Sequence, residues 1–342
     1  MATETGRKSW LDKAKGIGII LVVLGHMDQG SNPLCKWISS FHMPLFFILS
    51  GVIVSMRSAY MSMPLKNVLI KRAKQLFYPY LMFSLLVILY YLLRGKADIA
   101  FRVTWLTAVL EGYNALWFLP AMWMAECMML ILLRSRIPDI AGVGTLVLGT
   151  SIYAALQYYV IGGAMPAEEG ILFLILNGLC RAGIGLVFMM AGYWGDRFCQ
   201  RIQHIPRNRM KLLSAAAFAL GFALCWANSI PDLHYSVQGN PILYYASALL
   251  QSTGVIALCV FIPCRCRLLE FFGKNSLIIM ATHYPLPLLS FVHWLLRYIG
   301  TGFRYADDLL GCAIAMLLET AIILLFRHYL PFLLRMPEKK CA

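Results

Sequence analysis

Two residues near the start of the chain, Lys15 and His26, have types and a spacing suited to chemistry on a long substrate. An imidazole works as a general base or a nucleophile near neutral pH, and a lysine attracts phosphates. Eleven residues of helix span about 16 Å. The two side chains therefore cannot touch each other, but one elongated ligand could contact both. The alternatives are a packing role for His26 and ordinary interfacial snorkelling for Lys15.

Three more ionisable residues, His42, Arg181 and His283, fall in or beside apolar stretches. An ionisable group in hydrocarbon is costly, so each is a functional candidate, and we expect Glu126 or Glu319 to pair with Arg181. A purely structural ion pair is the alternative for Arg181, and an interfacial position is the alternative for His42.

Prolines and small residues in these stretches predict where the backbone departs from simple helices. Two prolines, Pro285 and Pro287, follow His283 and predict a local helix break, which in a membrane occurs where backbone lines a cavity. The pair Ser50-Gly51 predicts a close helix contact.

A basic cluster, Lys71, Arg72 and Lys74, precedes an apolar stretch and could hold phosphates. Attraction to anionic lipid headgroups explains the same cluster. Asn114 and Trp117 begin another apolar stretch and are candidates for substrate binding. The alternative for Trp117 is membership of an interfacial aromatic belt.

The elements that carry these residues follow from composition. Of 342 residues, 60% are apolar and only 13% are charged, which excludes a soluble enzyme. About ten membrane helices of roughly 20 residues each would account for this number of apolar residues. We expect one all-α, polytopic transmembrane domain over residues 1–342, with a buried polar cavity and no appended soluble domain. The predicted spans are residues 14–31, 38–56, 76–94, 113–133, 141–162, 171–195, 212–231, 242–262, 275–298 and 309–332.

The net charge of +14 reflects orientation rather than nucleic-acid binding. With the N-terminus in the cytoplasm, 23 of the 30 lysines and arginines fall on the inner side and six on the outer side. This bias predicts that both termini are cytoplasmic. The isolated pair Cys264 and Cys266 has too few companions for a metal site, so we expect no metal. These features fit an enzyme with a polyanionic cytoplasmic cosubstrate, and they also fit an exporter or transporter of an anionic or glycan substrate.

Four motifs resemble the membrane-bound acyltransferase family 3, and its fucose 4-O-acetylase-like branch in particular. They are the segments 12–26 (DKAKGIGIILVVLGH), 41–51 (FHMPLFFILSG), 116–119 (LWFL) and 272–285 (FGKNSLIIMATHYP). The resemblance and the ten-span layout cover essentially the whole chain.

The resemblance implies transfer of an acyl group, usually acetyl, from cytoplasmic acyl-CoA to a sugar hydroxyl of a lipid-linked or cell-surface polysaccharide. The site would face outward from a bacterial cytoplasmic membrane. The family's motif of a basic residue and a histidine eleven positions later falls on Lys15 and His26, with Lys where Arg is common. Its basic pair falls on Lys71 and Lys74. We therefore assign donor phosphates to Lys15, Lys71, Arg72 and Lys74, catalysis to His26 with Arg181, His42 or His283 assisting, and acceptor binding to Trp117 and Asn114.

Overall fold

The computed structural model describes residues 9–27, 32–57, 59–96, 114–161, 171–201, 206–261, 266–284 and 286–334. Over these residues the chain is a helical bundle, as the composition predicts. Its helices are α1 (Ser9–Gly25), α2 (Pro33–Ser39), α3 (His42–Met56), α4 (Ala59–Ser62), α5 (Leu65–Leu93), α6 (Phe118–Leu132), α7 (Asp139–Ile161), α8 (Ile171–Arg201), α9 (Arg207–Ala227), α10 (Pro241–Phe261), α11 (Arg267–Lys274), α12 (Ser276–Thr282), α13 (Leu288–Ile299), α14 (Arg304–Tyr329) and α15 (Pro331–Leu334). Short 3₁₀ turns occupy Asn114–Trp117 and Leu233–Tyr235.

Eight helical segments in the described part of the chain are long and apolar enough to cross a membrane. The two other predicted spans have a different form. Helix α1 has only 17 residues. The predicted span 275–298 is divided between α12 and α13, so the helix break expected after His283 is present.

Glycines let the central helices approach to backbone contact. A Cβ on Gly51 of α3 would overlap the carbonyl oxygen of Met189 in α8, and a Cβ on Gly192 would overlap that of Ile48. The close packing expected at Ser50-Gly51 is thus confirmed. Helices α1 and α11 interlock in the same way, because a Cβ on Gly273 would overlap the carbonyl oxygen of Asp12.

Helix α5 begins much earlier than predicted. The span was expected to start at residue 76, but the helix starts at Leu65 and carries the basic cluster on its first turns. Successive residues of a helix point about 100° apart. Consequently Arg72 is largely buried against α6, whereas Lys71 and Lys74 are exposed.

Candidate active site

A cavity of about 640 Å³ opens between α1, α3, α5, α6 and α11–α12. Four basic residues line it, and one acidic residue accompanies them: Lys15, Arg57, Arg72, Lys274 and Asp12. Beyond these residues the wall is mostly apolar, with Phe46, Phe118 and Met280 among its members. The cavity therefore has a cationic end and an apolar interior.

The cationic end is built on Tyr60, which is only 1% exposed. The guanidinium carbons of Arg57 and Arg72 lie 5.6 and 5.9 Å from the centre of the Tyr60 ring, and the Lys71 ammonium lies 5.9 Å away. Arg57 also donates to the Tyr60 hydroxyl at 2.8 Å, and Arg134 donates to the Tyr60 carbonyl. One buried ring thus gathers several cations beside the cavity.

An ion pair with one hydrogen bond fixes Arg72. Its Nε and Nη2 lie 2.5 and 2.6 Å from the two carboxylate oxygens of Glu126. Glu126 is fully buried on α6, so the pair joins α5 to α6 at the edge of the cavity. Arg72 is therefore both a structural cation and a lining residue.

A cluster of histidines lies at the other end of α1. The rings of His26 and His283 are 4.9 Å apart and nearly perpendicular, and Tyr284 lies 5.8 Å from His26. His42 lies within electrostatic range of His26. The structure thus brings together the three histidines that the sequence singled out.

The three rings of the cluster share one hydrogen-bond pattern. In each, Nδ1 lies 2.7–2.8 Å from the carbonyl oxygen four residues earlier, on Val22, Ile38 or Ile279. A carbonyl oxygen only accepts, so Nδ1 carries the hydrogen, and the neutral imidazole keeps a lone pair on Nε2. Each ring can therefore take a proton at Nε2.

The helix break puts His283 in the cluster. Just before it, Thr282 Oγ1 lies 2.8 and 2.9 Å from the two carboxyl oxygens of Glu319, which is fully buried on α14. This contact holds the end of α12 against α14. His293, on the far side of the break, donates from Nε2 to the carbonyl of Met27 at 2.8 Å and braces the turn that carries His26.

The loop between α9 and α10, residues 228–240, approaches the cluster, since its Asp232 and His234 lie within electrostatic range of His26. An antiparallel bridge between Asp232 and Val237 closes it. Ser236 adopts a left-handed conformation with φ of 58° and donates to Asn177 Oδ1 at 2.6 Å. Asn177 Nδ2 in turn donates to the carbonyl of His234 at 3.1 Å. The loop is therefore pinned to α8.

Asn177 lies one turn before Arg181, so the pinned loop sits beside the buried guanidinium. Arg181 is fully buried, and its guanidinium carbon lies 5.3 Å from the centre of the Trp117 ring. Trp117 is 8% exposed, and its ring lies 5.7 Å from that of His234. Trp117 is thus part of the site's interior, not of an interfacial belt.

Two titratable groups of the loop respond to this environment. Burial lowers the pKa of His234 to about 3, and the charges of Arg181 and His26 act in the same direction. Burial raises the pKa of Asp232, while hydrogen bonds from the loop backbone and the charges of Arg181 and His26 oppose that shift. Both groups therefore lie close to Arg181 and His26.

Some expectations need correction. The carboxylates expected to pair with Arg181 contact other residues, since Glu126 pairs with Arg72 and Glu319 contacts Thr282. Asp232 of the loop is one acid within electrostatic range of Arg181.

The structure places the remaining predicted site residues in different surroundings. Lys15 and Arg72 line the cavity, whereas Lys71 and Lys74 lie on the exposed side of α5 and are not among its lining residues. The side chain of Asn114 lies outside the described residues.

Four residues of this architecture were not predicted as site residues: Arg57, Lys274, Asp232 and His234. Arg57 was visible only as part of the basic bias toward one side of the membrane, and Lys274 was visible in that bias and in the 272–285 motif, without a role assigned to it. Nothing in the local sequence marks the other two, because the loop that carries them joins the site through long-range packing.

The comparisons with known proteins agree with this geometry. A family model described as an acyltransferase domain matches residues 8–334. The chain belongs to acyltransferase family 3. No match is found among curated proteins or among solved structures.

Membership of acyltransferase family 3 makes this a multi-pass membrane acyltransferase, with an acyl donor and an acceptor substrate. It favours this interpretation over that of a transporter, which the charged spans alone left open.

Proposed function

We propose that this protein transfers an acetyl group from cytoplasmic acetyl-CoA to a sugar hydroxyl of a lipid-linked or cell-surface polysaccharide on the extracytoplasmic side. One observation carries the proposal: a cavity with a cationic end lies at the Lys15 end of α1, and a histidine cluster lies at its His26 end. Because the two lie about 16 Å apart along the helix, a long, thin donor can lie in the cavity with its reactive end directed toward the histidines.

The cavity suits the chemistry of acyl-CoA. Lys15, Arg57, Arg72 and Lys274 would neutralise the nucleotide phosphates, and Arg57 and Arg72 add planar guanidinium donors. The apolar interior would take the pantetheine arm. Lys71 and Lys74 remain proposed contacts for the outermost phosphate, since both lie on the exposed first turns of α5.

The chemistry at the far end is proton transfer and addition to a carbonyl. Nε2 of His26 takes the proton from the acceptor hydroxyl, and the oxygen attacks the thioester carbonyl. The tetrahedral oxyanion collapses, the C–S bond breaks, and the imidazolium returns its proton to the thiolate, giving an acetyl ester and free CoA. Arg181 is the proposed donor to the oxyanion, and His42 and His283 are proposed to orient His26 or, when protonated at Nε2, to donate to the oxyanion as well.

The acceptor would enter beneath the 228–240 loop. Trp117 offers an aromatic surface for a sugar ring, with Arg181 and His234 beside it, and Asn114 is the proposed polar contact at the same turn. The bias of basic residues supports an extracytoplasmic position for this end, in what we propose is a bacterial cytoplasmic membrane. The motif resemblance supports our assignment of the chain to the fucose 4-O-acetylase-like branch.

The test uses purified protein in nanodiscs with acetyl-CoA labelled in the acetyl group. Wild type, His26→Ala and His328→Ala are compared by following label in protein and added glycan, together with free CoA. His328 is an exposed histidine near the end of α14 and serves as the matched control. We expect wild type and His328→Ala to release CoA and label the glycan, and His26→Ala to do neither.

Two results would contradict the proposal. Equal activity of His26→Ala and wild type would show that His26 takes no part in catalysis. If wild type released CoA from none of the acyl-CoA donors tested, acyl-CoA would be excluded as the donor. Stable label on the wild-type protein would replace the general-base step with a covalent acyl-histidine.

A further inference from the structure

A buried hydroxyl in the first turn of α10 has no hydrogen-bond partner among the described residues. It belongs to Tyr244, whose side chain is 1% exposed. Most buried polar groups in folded proteins are hydrogen-bonded, because a buried hydroxyl without a partner costs free energy. The neighbouring Tyr245 follows this rule, since its hydroxyl lies 2.9 Å from that of Thr150 on α7. The packing of the helices therefore explains the hydroxyl of Tyr245 but not that of Tyr244.

Tyr244 lies along the face of α8 that carries the buried arginine of the site. Its ring packs edge-on against Phe188, with the ring centres 5.9 Å apart. Phe188 follows Arg181 by seven residues of helix, and residues with this spacing share one face. The Tyr244 hydroxyl is also within electrostatic range of Cys180, the residue directly before Arg181. These contacts place the hydroxyl near the part of α8 that holds the guanidinium.

The same hydroxyl lies near the loop between α9 and α10. It is within electrostatic range of Asp232, which is in turn within range of Arg181 and His26. Asp232 also accepts a hydrogen bond from the backbone N–H of His234 at 2.8 Å. The Tyr244 hydroxyl thus belongs to the polar groups around Arg181 and His26, although no step of the proposed reaction uses it.

A buried hydroxyl at this position suits a ligand that carries several hydroxyls. A phenolic hydroxyl donates one hydrogen bond and can accept another, and each hydroxyl of a sugar can do the same. A sugar beside Asp232 and Arg181 would give Tyr244 the hydrogen-bond partner that the described protein groups do not supply. We infer that Tyr244 donates a hydrogen bond to a hydroxyl of the acceptor sugar and is a specificity-determining residue of the acceptor site. This inference rests on the proposed glycan acceptor.

The experiment compares Tyr244→Phe with Tyr245→Phe, which removes the hydroxyl of the next residue on the same helix. Activity is measured in nanodiscs with labelled acetyl-CoA and with methyl glycosides of fucose, galactose and glucose as acceptors. For the glycoside that wild type labels fastest, Tyr244→Phe should lower kcat/KM about three- to tenfold, the usual contribution of one hydrogen bond. The KM for acetyl-CoA should not change. Tyr245→Phe should keep the wild-type values, since its hydroxyl is bonded to Thr150.

Thermal unfolding in detergent distinguishes substrate binding from a structural role of Tyr244. Tyr244→Phe removes a buried hydroxyl that has no protein partner among the described residues, so its unfolding temperature should stay the same or rise. Tyr245→Phe breaks a buried hydrogen bond, so its unfolding temperature should fall.

Monodeoxy versions of the fastest glycoside identify the sugar hydroxyl that Tyr244 contacts. One of them should be a poorer acceptor than the parent glycoside for wild type. The same deoxy glycoside and its parent should be nearly equal acceptors for Tyr244→Phe, because the two changes remove the same hydrogen bond.

The outcomes separate the inference from the proposed function. An unchanged kcat/KM for the acceptor in Tyr244→Phe, or an equal loss in Tyr245→Phe, would overturn the inference alone. A fall in the unfolding temperature of Tyr244→Phe as large as that of Tyr245→Phe would do the same. Absence of labelled glycoside in every wild-type reaction would instead count against the proposed glycan acceptor.

Discussion

The ion pair between Arg72 and Glu126 allows a sharp test of whether Arg72 stabilises the fold, binds the acyl donor, or does both. The two nitrogen–oxygen distances of the pair are 2.5 and 2.6 Å, and its side chains are 13% and 1% exposed. At that distance and an effective dielectric constant of about 20, the Coulomb attraction is roughly 7 kcal/mol. Desolvation of two buried ions offsets much of this attraction.

Removing one partner is more damaging than removing both. Arg72→Met leaves a fully buried carboxylate without its counter-ion, so we expect the free energy of unfolding to fall by about 3–5 kcal/mol. Replacing both, as Arg72→Met with Glu126→Met, should recover most of that loss. The double-mutant cycle thus gives the coupling between the two side chains.

We expect acyl-CoA binding and the free energy of unfolding to change differently in these variants. If Arg72 also holds a donor phosphate, the stable double variant will still bind acyl-CoA more weakly than wild type. The assay pairs reversible denaturant unfolding in detergent with acyl-CoA binding in nanodiscs. Lys74→Met, an exposed cation two residues away, is the matched control and should leave stability unchanged.

Two results would refute this reasoning. A loss below about 1 kcal/mol for Arg72→Met would show that the pair behaves like a surface ion pair. Full donor binding by the double variant would show that Arg72 acts only through the fold.

Three further predictions follow from single contacts. Gly51→Leu should prevent close packing of α3 on α8, since even a Cβ overlaps the Met189 carbonyl, and should abolish folded protein in size-exclusion chromatography. Lys15→Ala should raise the KM for acyl-CoA on the order of tenfold or more, whereas Lys74→Ala, at an exposed position, should change it much less; equal effects would contradict the cavity assignment. The pKa of His234, lowered to about 3, means that between about pH 6.5 and 3 the unfolded chain binds a proton that the folded chain does not. Stability therefore falls with acidification in that window, by up to about 1.4 kcal/mol per pH unit, and His234→Gln should flatten this slope in denaturant titrations; an unchanged slope would refute the shift.

The helical architecture followed from the sequence because it depends on local composition. Long apolar stretches must satisfy their backbone internally as helices, and eight of the predicted spans are present as long helices. The helix break after His283 followed from proline chemistry, and the approach of α3 to α8 followed from Gly51. In each case the signal and the structure lie within a few residues of each other.

The pairing of Arg181 could not be predicted in this way. Hydropathy placed the start of the third span after the basic cluster, although the helix begins at Leu65. In the structure Arg72, on this longer helix, pairs with Glu126. Such a pairing depends on contacts between helices far apart in the sequence, which hydropathy does not report.

The contribution of the 228–240 loop to the site could not be predicted for a different reason. Asp232 and His234 reach the site because Asn177 pins the loop by hydrogen bonds across 57 and 59 residues of sequence. Such bonds leave no local pattern, and polar residues between two spans are expected in any loop.

The arrangement has a consequence for how the proposed reaction would cross the membrane. The cationic end and the histidine cluster lie at opposite ends of α1, and none of the three histidines is among the residues that line the cavity. A donor could then bind from one side without exposing its thioester to acceptor or water from the other. In the proposed reaction only the acyl group and the end of the pantetheine arm need to reach the histidines. The bulky nucleotide stays where the basic residues are, so the nucleotide itself does not need to cross the membrane.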